Sequence, residues 1–160
     1  MAHTRSTPLA RLRKFLKERE LDGVLLRTRR NFSWMTGGKV NYIEQTSERG
    51  VADLLIFDDA QYCVTTKMEF ARIHNEELHG LGYTFITPEW YEGTEAAIRK
   101  LCAGKAVGTD VPFAELELVE ADLASLRYRL SADEIERYRI LSQKTAHALE
   151  ATCREMMPGW

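Results

Sequence analysis

Val24-Leu25-Leu26 is a short, wholly apolar run that follows Asp22-Gly23. A strand apolar on both sides suits the middle of a sheet covered on both faces. Whatever precedes and follows it must therefore supply those covers. Upstream, Leu9, Leu12, Phe15 and Leu16 recur at helical spacing behind Thr7-Pro8, a capping residue with proline at the first helical position. That helix is expected to end near Asp22-Gly23. Downstream, a short helical turn is expected over Asn31 to Thr36, broken by Gly37-Gly38.

The same alternation continues. Val51 to Phe57 and Gln61 to Thr66 read as a hairpin turning at Asp58-Asp59-Ala60. A helix is predicted over Met68 to Leu78, with Gly80 as its C-terminal cap. A strand follows over Tyr83 to Thr87, a helix over Glu95 to Leu101, a strand over Lys105 to Thr109 and a helix from about Ala114 to Arg127. Ser131-Ala132-Asp133-Glu134 is a capping-box pattern. Ile135, Tyr138, Ser142, Thr145, Leu149 and Cys153 follow it in three- and four-residue steps, as far as about Met157 before Pro158-Gly159. The sum is an α/β domain: a three-layer mixed sheet with helices on both faces. The domain is assigned to residues 1–130 and a terminal helix to 131–160.

Composition fits one globular domain of 160 residues, with 44% hydrophobic and 29% charged side chains. A net charge of −2 speaks against a dedicated nucleic-acid binder. Residues 1–30 are locally basic, which reads as a solvated helix face. Glu18, Glu20 and Asp22 count against a transit peptide. No apolar run approaches the roughly 18 residues of a membrane span. Cys63, Cys102 and Cys153 suit neither a disulfide framework nor a zinc ribbon, and are expected to be buried free thiols in a cytoplasmic protein. Asn31-Phe32-Ser33 matches a glycosylation acceptor but means little without secretion.

The search for chemistry is mostly negative. His74-Asn75-Glu76-Glu77-Leu78-His79 resembles a zinc-protease helix, but its histidines are five apart rather than four. On an α-helix that is about 140° of rotation, and the segment reads as an exposed polar face. Thr36-Gly37-Gly38-Lys39 fails as a phosphate loop, because Ser33 and Val40 stand where glycine and a hydroxyl residue are required. No GxSxG elbow occurs. Asp22, Asp53, Asp58, Asp59, Glu69 and Asp110 could hold magnesium only if they converged. Asp58 and Asp59 read as turn residues and Asp110 as a strand end. Phe32, Trp34, Tyr42, Trp90 and Tyr91 either seal a core edge or line a binding surface.

Several segments together resemble one family. Asn31-Phe32-Ser33-Trp34-Met35-Thr36-Gly37-Gly38 is similar to the "N…(Y/W)-hydrophobic-T-G" segment in N-terminal domains of Xaa-Pro aminopeptidases, prolidases and creatinases. Leu21 to Leu26 resembles the strand before it. Tyr62 to Leu78, with Glu69, Arg72, Glu76 and Glu77, resembles the family's hairpin strand and following helix. Val107-Gly108-Thr109-Asp110 resembles the later "vG-D" strand. Leu130 to Gly159 resembles the linker helix, with "L-S-x-x-E-I" at its start and "P-G" at its end.

The resemblance implies a ribonuclease H-like N-terminal domain without catalytic or metal-binding residues of its own. It also implies a catalytic domain after the Pro-Gly, carrying two divalent ions (Mn, Co or Zn) on two aspartates, a histidine and two glutamates, none of which can be placed on this sequence. A homodimeric parent acting on short proline-containing peptides is implied too, with no nucleic-acid or membrane partner. The loop after Thr36-Gly37 would overhang the partner's active site. Trp34, Lys39, Asn41 and Tyr42 are the candidate substrate-access or partner-subunit residues, and changes at Asn41 or Tyr42 are expected to leave the domain's own stability intact.

Three functions are therefore in view. The first is a non-catalytic N-terminal domain of a Xaa-Pro peptidase, inactive alone. The second is a stand-alone binding module of the same fold. The third is a metal-dependent nuclease, resting on shared topology and scattered acids, and topology does not carry function.

Overall fold

The computed structural model describes residues 7–159. The first helix, α1 (Pro8–Glu18), starts as its sequence dictates: the Thr7 hydroxyl accepts the Ala10 N–H and proline occupies the first turn. It stops one turn earlier than expected. Glu20 takes a positive φ of 55°, and the Leu21 N–H returns to the Leu16 carbonyl (2.9 Å), closing the end in a Schellman-type cap. Asp22 is thereby free to join the sheet. Its N–H donates to Ala106 O at 2.8 Å, and its carboxylate accepts the Ala106 N–H at 2.7 Å.

The remaining elements of this unit are β1 (Gly23–Thr28), α2 (Arg29–Met35), β2 (Arg49–Phe57), β3 (Gln61–Thr65), α3 (Lys67–Arg72), a π-helical turn (Ile73–Glu77), β4 (Thr84–Ile86), α4 (Glu95–Cys102), β5 (Val107–Thr109), β6 (Glu117–Leu118) and α5 (Glu120–Arg127). The six strands form one sheet in the order β4-β3-β2-β1-β5-β6. Only β2 runs against the other five. β1 is central and buried along its whole length, as its apolar run requires.

Side-chain alternation along β1 divides the core in two. Val24 and Leu26 join Leu12, Phe15 and Leu16 of α1, Phe32 and Trp34 of α2, Ile73 and Leu78 around the π turn, and Leu123 of α5. Leu25 points the other way, with Leu55 and Val64, against Ile98 and Cys102 of α4 and Phe113. The expected three-layer arrangement is thus realised, with α4 covering one face and α1, α2, the π turn and α5 covering the second. At Gly23 an added Cβ would lie 2.5 Å from the Phe57 ring, so only glycine admits that close strand packing.

Three expectations need correction. The helix placed at 114–127 begins only at Glu120. Residues Ala114 (φ 48°) to Leu116 turn the chain so that Glu117–Leu118 can pair with β5. The helix placed at Met68–Leu78 changes hand-hold midway, because the Leu78 N–H reaches back five residues to Ile73 O (2.8 Å). His74 consequently does not sit on a wholly exposed face. Its ring is half-buried between Phe70 and Phe85, each with its ring centre 5.2 Å away. Third, Cys63 and Cys102 are buried but Cys153 is exposed.

The chain divides into two units, one running to Tyr128 and one from Arg129. The second holds α6 (Ala132–Glu155), a 24-residue helix with both capping-box bonds formed at Ser131 and Glu134. None of its residues is buried. No helix among the described residues is long and apolar enough to cross a membrane.

Candidate functional site

The candidate loop begins where α2 ends. α2 is anchored at its start by the side chain of Thr28, which accepts the Asn31 N–H. At its end the Thr36 hydroxyl donates to Phe32 O (2.7 Å), and Gly37 and Gly38 take φ values of 73° and 102° to reverse the chain. The loop then lies along the π turn: Lys39 Nζ donates to Glu76 O and the Val40 N–H to Glu77 Oε2, both at 3.0 Å. Beyond it, Arg29 clamps residues 42–48. Its guanidinium stacks on Tyr42 (4.5 Å to the ring centre) and donates to the carbonyls of Gln45 and Ser47.

The four candidate residues occupy different environments. Trp34 is a core residue, 6% exposed, with the Arg11 guanidinium 5.7 Å from its ring. Lys39 is exposed and Tyr42 half-buried. Asn41 is fully buried, 0% exposed. Its Nδ2 donates to Ala52 O (2.8 Å) and its carbonyl accepts the Val51 N–H (2.8 Å). An added Cβ at Gly50 would fall inside the Asn41 side chain. The burial of Asn41 runs against the expectation that changes there leave stability untouched: Asn41 bonds β2 as an extra strand residue would. The surface-displayed apolar groups of this loop are Val40 and Ile43, the latter 67% exposed.

Under α2 lies a buried polar junction that composition alone did not reveal. Asp110 accepts the backbone N–H of Arg27 (2.8 Å) through one oxygen. Its other oxygen accepts the Thr28 N–H (2.9 Å), the Thr28 hydroxyl (2.6 Å) and Asn31 Nδ2 (2.7 Å). Glu120 and Arg127 complete the cluster: Asn31 Nδ2 also donates to Glu120 Oε2 (3.0 Å), Arg127 donates to Glu120 Oε1 (2.9 Å), and Arg127 further bonds the Asn31 side-chain oxygen. On the α4 side, the Arg27 guanidinium donates to both oxygens of Asp53 (3.2 and 3.3 Å) and packs over Phe113. The Thr94 hydroxyl donates to Asp53 as well (3.3 Å). Burial pushes the Asp53 carboxyl above the usual carboxylate range, and Arg27 pulls against that shift.

This junction offers little chemistry. Asp53 and Asp110 are committed to fixed donors, and among the described residues no group of three or more His, Cys, Asp or Glu side chains converges as a metal site would require. Burial raises the Cys63 thiol too, so it is a poor nucleophile. The nuclease reading thus finds no such converging group among the described residues to support it.

The profile of the creatinase/prolidase N-terminal domain matches residues 8–141. The chain belongs to this family. Among solved structures it is similar to a prolidase from Pyrococcus horikoshii OT3 (TM-score 0.71, 14% identity), covering 96% of this chain and 44% of that one. It is also similar to a Xaa-Pro dipeptidase from Bacillus anthracis (0.70, 17%, covering 96% and 44%). The N-terminal domain of a Xaa-Pro dipeptidase from Lactobacillus brevis aligns over 79% of this chain and 92% of its own (0.52, 18%). The chain thus spans under half the length of the first two. Among curated protein sequences no significant relative is found.

In this creatinase/prolidase domain, two of the segments that carry the resemblance meet in space. Asn31 opens the Thr-Gly segment and Asp110 closes the "vG-D" strand, and they are joined by a 2.7 Å hydrogen bond across 79 positions. Asn31 also holds Glu120 and Arg127 of α5. The junction fixes where α2 starts, and so where the loop after it emerges.

Proposed function

We propose that the chain is the non-catalytic N-terminal domain of a Xaa-Pro peptidase, and that residues 38–43 form a substrate-access or partner-subunit loop in a homodimeric parent. The observation that carries this reading is the loop's construction. It is fixed at Thr36, at the π turn, at β2 through Asn41 and by Arg29, yet it presents Lys39, Val40 and Ile43 to solvent. A wall beside an active site needs that combination of rigidity and outward display, because enclosing a substrate excludes water and long chains.

The reading includes a catalytic domain following Pro158-Gly159, which would hold the two divalent ions (Mn, Co or Zn) of the parent and act on short proline-containing peptides. The exposed apolar side chains of α6, including Tyr138, Leu141 and Leu149, suit a helix that packs against further protein.

The purified chain is expected to show no Xaa-Pro cleavage with added Mn²⁺. Joined to its catalytic domain, variants Lys39→Ala and Ile43→Ser are expected to change KM for peptides longer than two or three residues more than for dipeptides. Clear turnover by the chain alone, or identical length selectivity in the variants, defeats the proposal.

A further inference from the structure

Trp90 and Tyr91, which by sequence could seal a core edge or line a binding surface, belong to neither core. Trp90 is 67% exposed and Tyr91 69%. Their loop, between β4 and α4, is nonetheless fixed. The Lys67 N–H at the start of α3 donates to Pro88 O (2.9 Å), and the Lys67 side chain pairs with Glu89. The Glu92 N–H donates to Glu89 O and the Glu89 N–H to Glu92 Oε2, both at 3.1 Å, which closes a turn around the two aromatics. Two residues on, the Thr94 hydroxyl donates to the buried Asp53 (3.3 Å). Large rings displayed on a fixed turn are the residue types that anchor interfaces, and their prior fixing lowers the entropy lost on binding.

The chemistry of the turn selects a partner. The two rings stand at 87° with centres 5.8 Å apart. In an edge-to-face pair, the ring that offers its edge keeps both faces clear of its neighbour. Such a face attracts a cation, Trp most strongly. The local charge favours the same guest. From Gly80 to Ile98 the sequence has three glutamates, Glu89, Glu92 and Glu95, and no Lys or Arg. Lys67 offsets Glu89, while Glu92 and Glu95 are exposed. An acidic partner would be repelled there, and an apolar one would strip water from the carboxylates without replacing it.

We propose that Trp90 and Tyr91 anchor a basic peptide segment of a partner protein, an Arg or Lys side chain lying over a ring face while Glu92 and Glu95 supply the opposite charge.

The test is fluorescence anisotropy of a dye-labelled Gly-Arg repeat peptide titrated with the whole chain, beside the same peptide with citrulline in place of arginine. The arginine peptide is expected to bind about tenfold or more tightly than the citrulline one, and less tightly as salt rises. Trp90→Ala should weaken binding about threefold or more, and Trp90→Phe, which keeps a π face, should weaken it less. Glu92→Gln, which keeps an oxygen to accept the Glu89 N–H, should reduce the salt dependence. Glu155→Gln in α6 makes the same change in net charge and should leave binding unaltered. Trp90 and Tyr91 are exposed, so their variants keep the fold. Equal binding of the two peptides, no binding by the wild type, or binding undiminished in a Trp90→Ala, Tyr91→Ala double variant overturns the proposal. Self-association abolished by Trp90→Ala, with no peptide binding, would assign the patch to a second copy instead and overturn it too.

Discussion

Arg27, in the central strand, is held by an acid from each flanking strand. Asp53 of β2 takes its guanidinium, while Asp110, at the end of β5, takes its backbone N–H. Both acids are buried, but they are satisfied differently. Asp110 gathers four short bonds from two backbone amides, a hydroxyl and a side-chain amide, all within Arg27–Asn31. Asp53 is met by one guanidinium and one hydroxyl at 3.2–3.3 Å. Backbone donors cannot be mutated away and have no other partner once buried, so the Asp110 junction fixes one chain path. An ion pair can in principle be replaced by apolar groups of similar volume.

That contrast predicts the largest effect at Asp110. Asp110→Ala strands the Arg27 and Thr28 amides together with the Thr28 hydroxyl, while Asn31 Nδ2 keeps only its bond to Glu120. At about 1–3 kcal/mol for each buried donor left without a partner, the loss is about 4 kcal/mol or more, comparable with the whole stability of a marginal domain. Urea unfolding would read this out, and a loss below about 1 kcal/mol would show that the junction is dispensable.

Asp53 comes next. Asp53→Ala leaves a buried guanidinium unpaired and should cost about 3–5 kcal/mol, whereas the double change Arg27→Met with Asp53→Leu should recover most of it. If the double variant is as unstable as the single one, the two acids are alike after all and the contrast fails.

The sequence disclosed those parts of the fold whose signals are local. The apolar run of β1, the hairpin over residues 51–65, the Thr7-Pro8 start and the Ser131–Glu134 box each lie within a few residues, and each forms where expected. What stayed hidden depends on partners far along the chain. Asp110 read as a strand end because Asn31 and Thr28 lie some eighty positions away. Asn41 read as a candidate access-loop residue because its burial depends on the missing side chain at Gly50 and on Ala52 O. The π turn differs from an α-helix by one hydrogen-bond step, and no residue type announces it. β6 has two residues and exists through pairing with β5.

The loop lets the comparison be sharpened at a smaller scale. Asn41→Ala removes a buried bond to Ala52 O, and Gly50→Ala displaces the same side chain from the opposite direction. Each should cost about 1–3 kcal/mol, and because they disturb one contact the double variant should lose less than the sum. Strict additivity in thermal or urea unfolding would mean that Asn41 and Gly50 act separately.

Alkaline pH gives an effect of similar or smaller size that bypasses both acids. Burial raises the Cys63 thiol and the Tyr83 phenol above their ordinary values of 9.0 and 10.0. For each group the unfolded chain ionises first. The stability it contributes is complete below the unfolded pKa and declines as pH rises past it. Between pH 9 and 10, Cys63 alone should cost up to about 1.4 kcal/mol. Cys63→Ser would mix this effect with lost packing. The cleaner comparison is the slope of unfolding free energy against pH in the wild type and in Cys63→Ala, which should be shallower in the variant. Equal slopes would place the alkaline sensitivity elsewhere. The exposed Cys153 should meanwhile react with a thiol reagent in the native state, whereas Cys63 should react only as the protein unfolds.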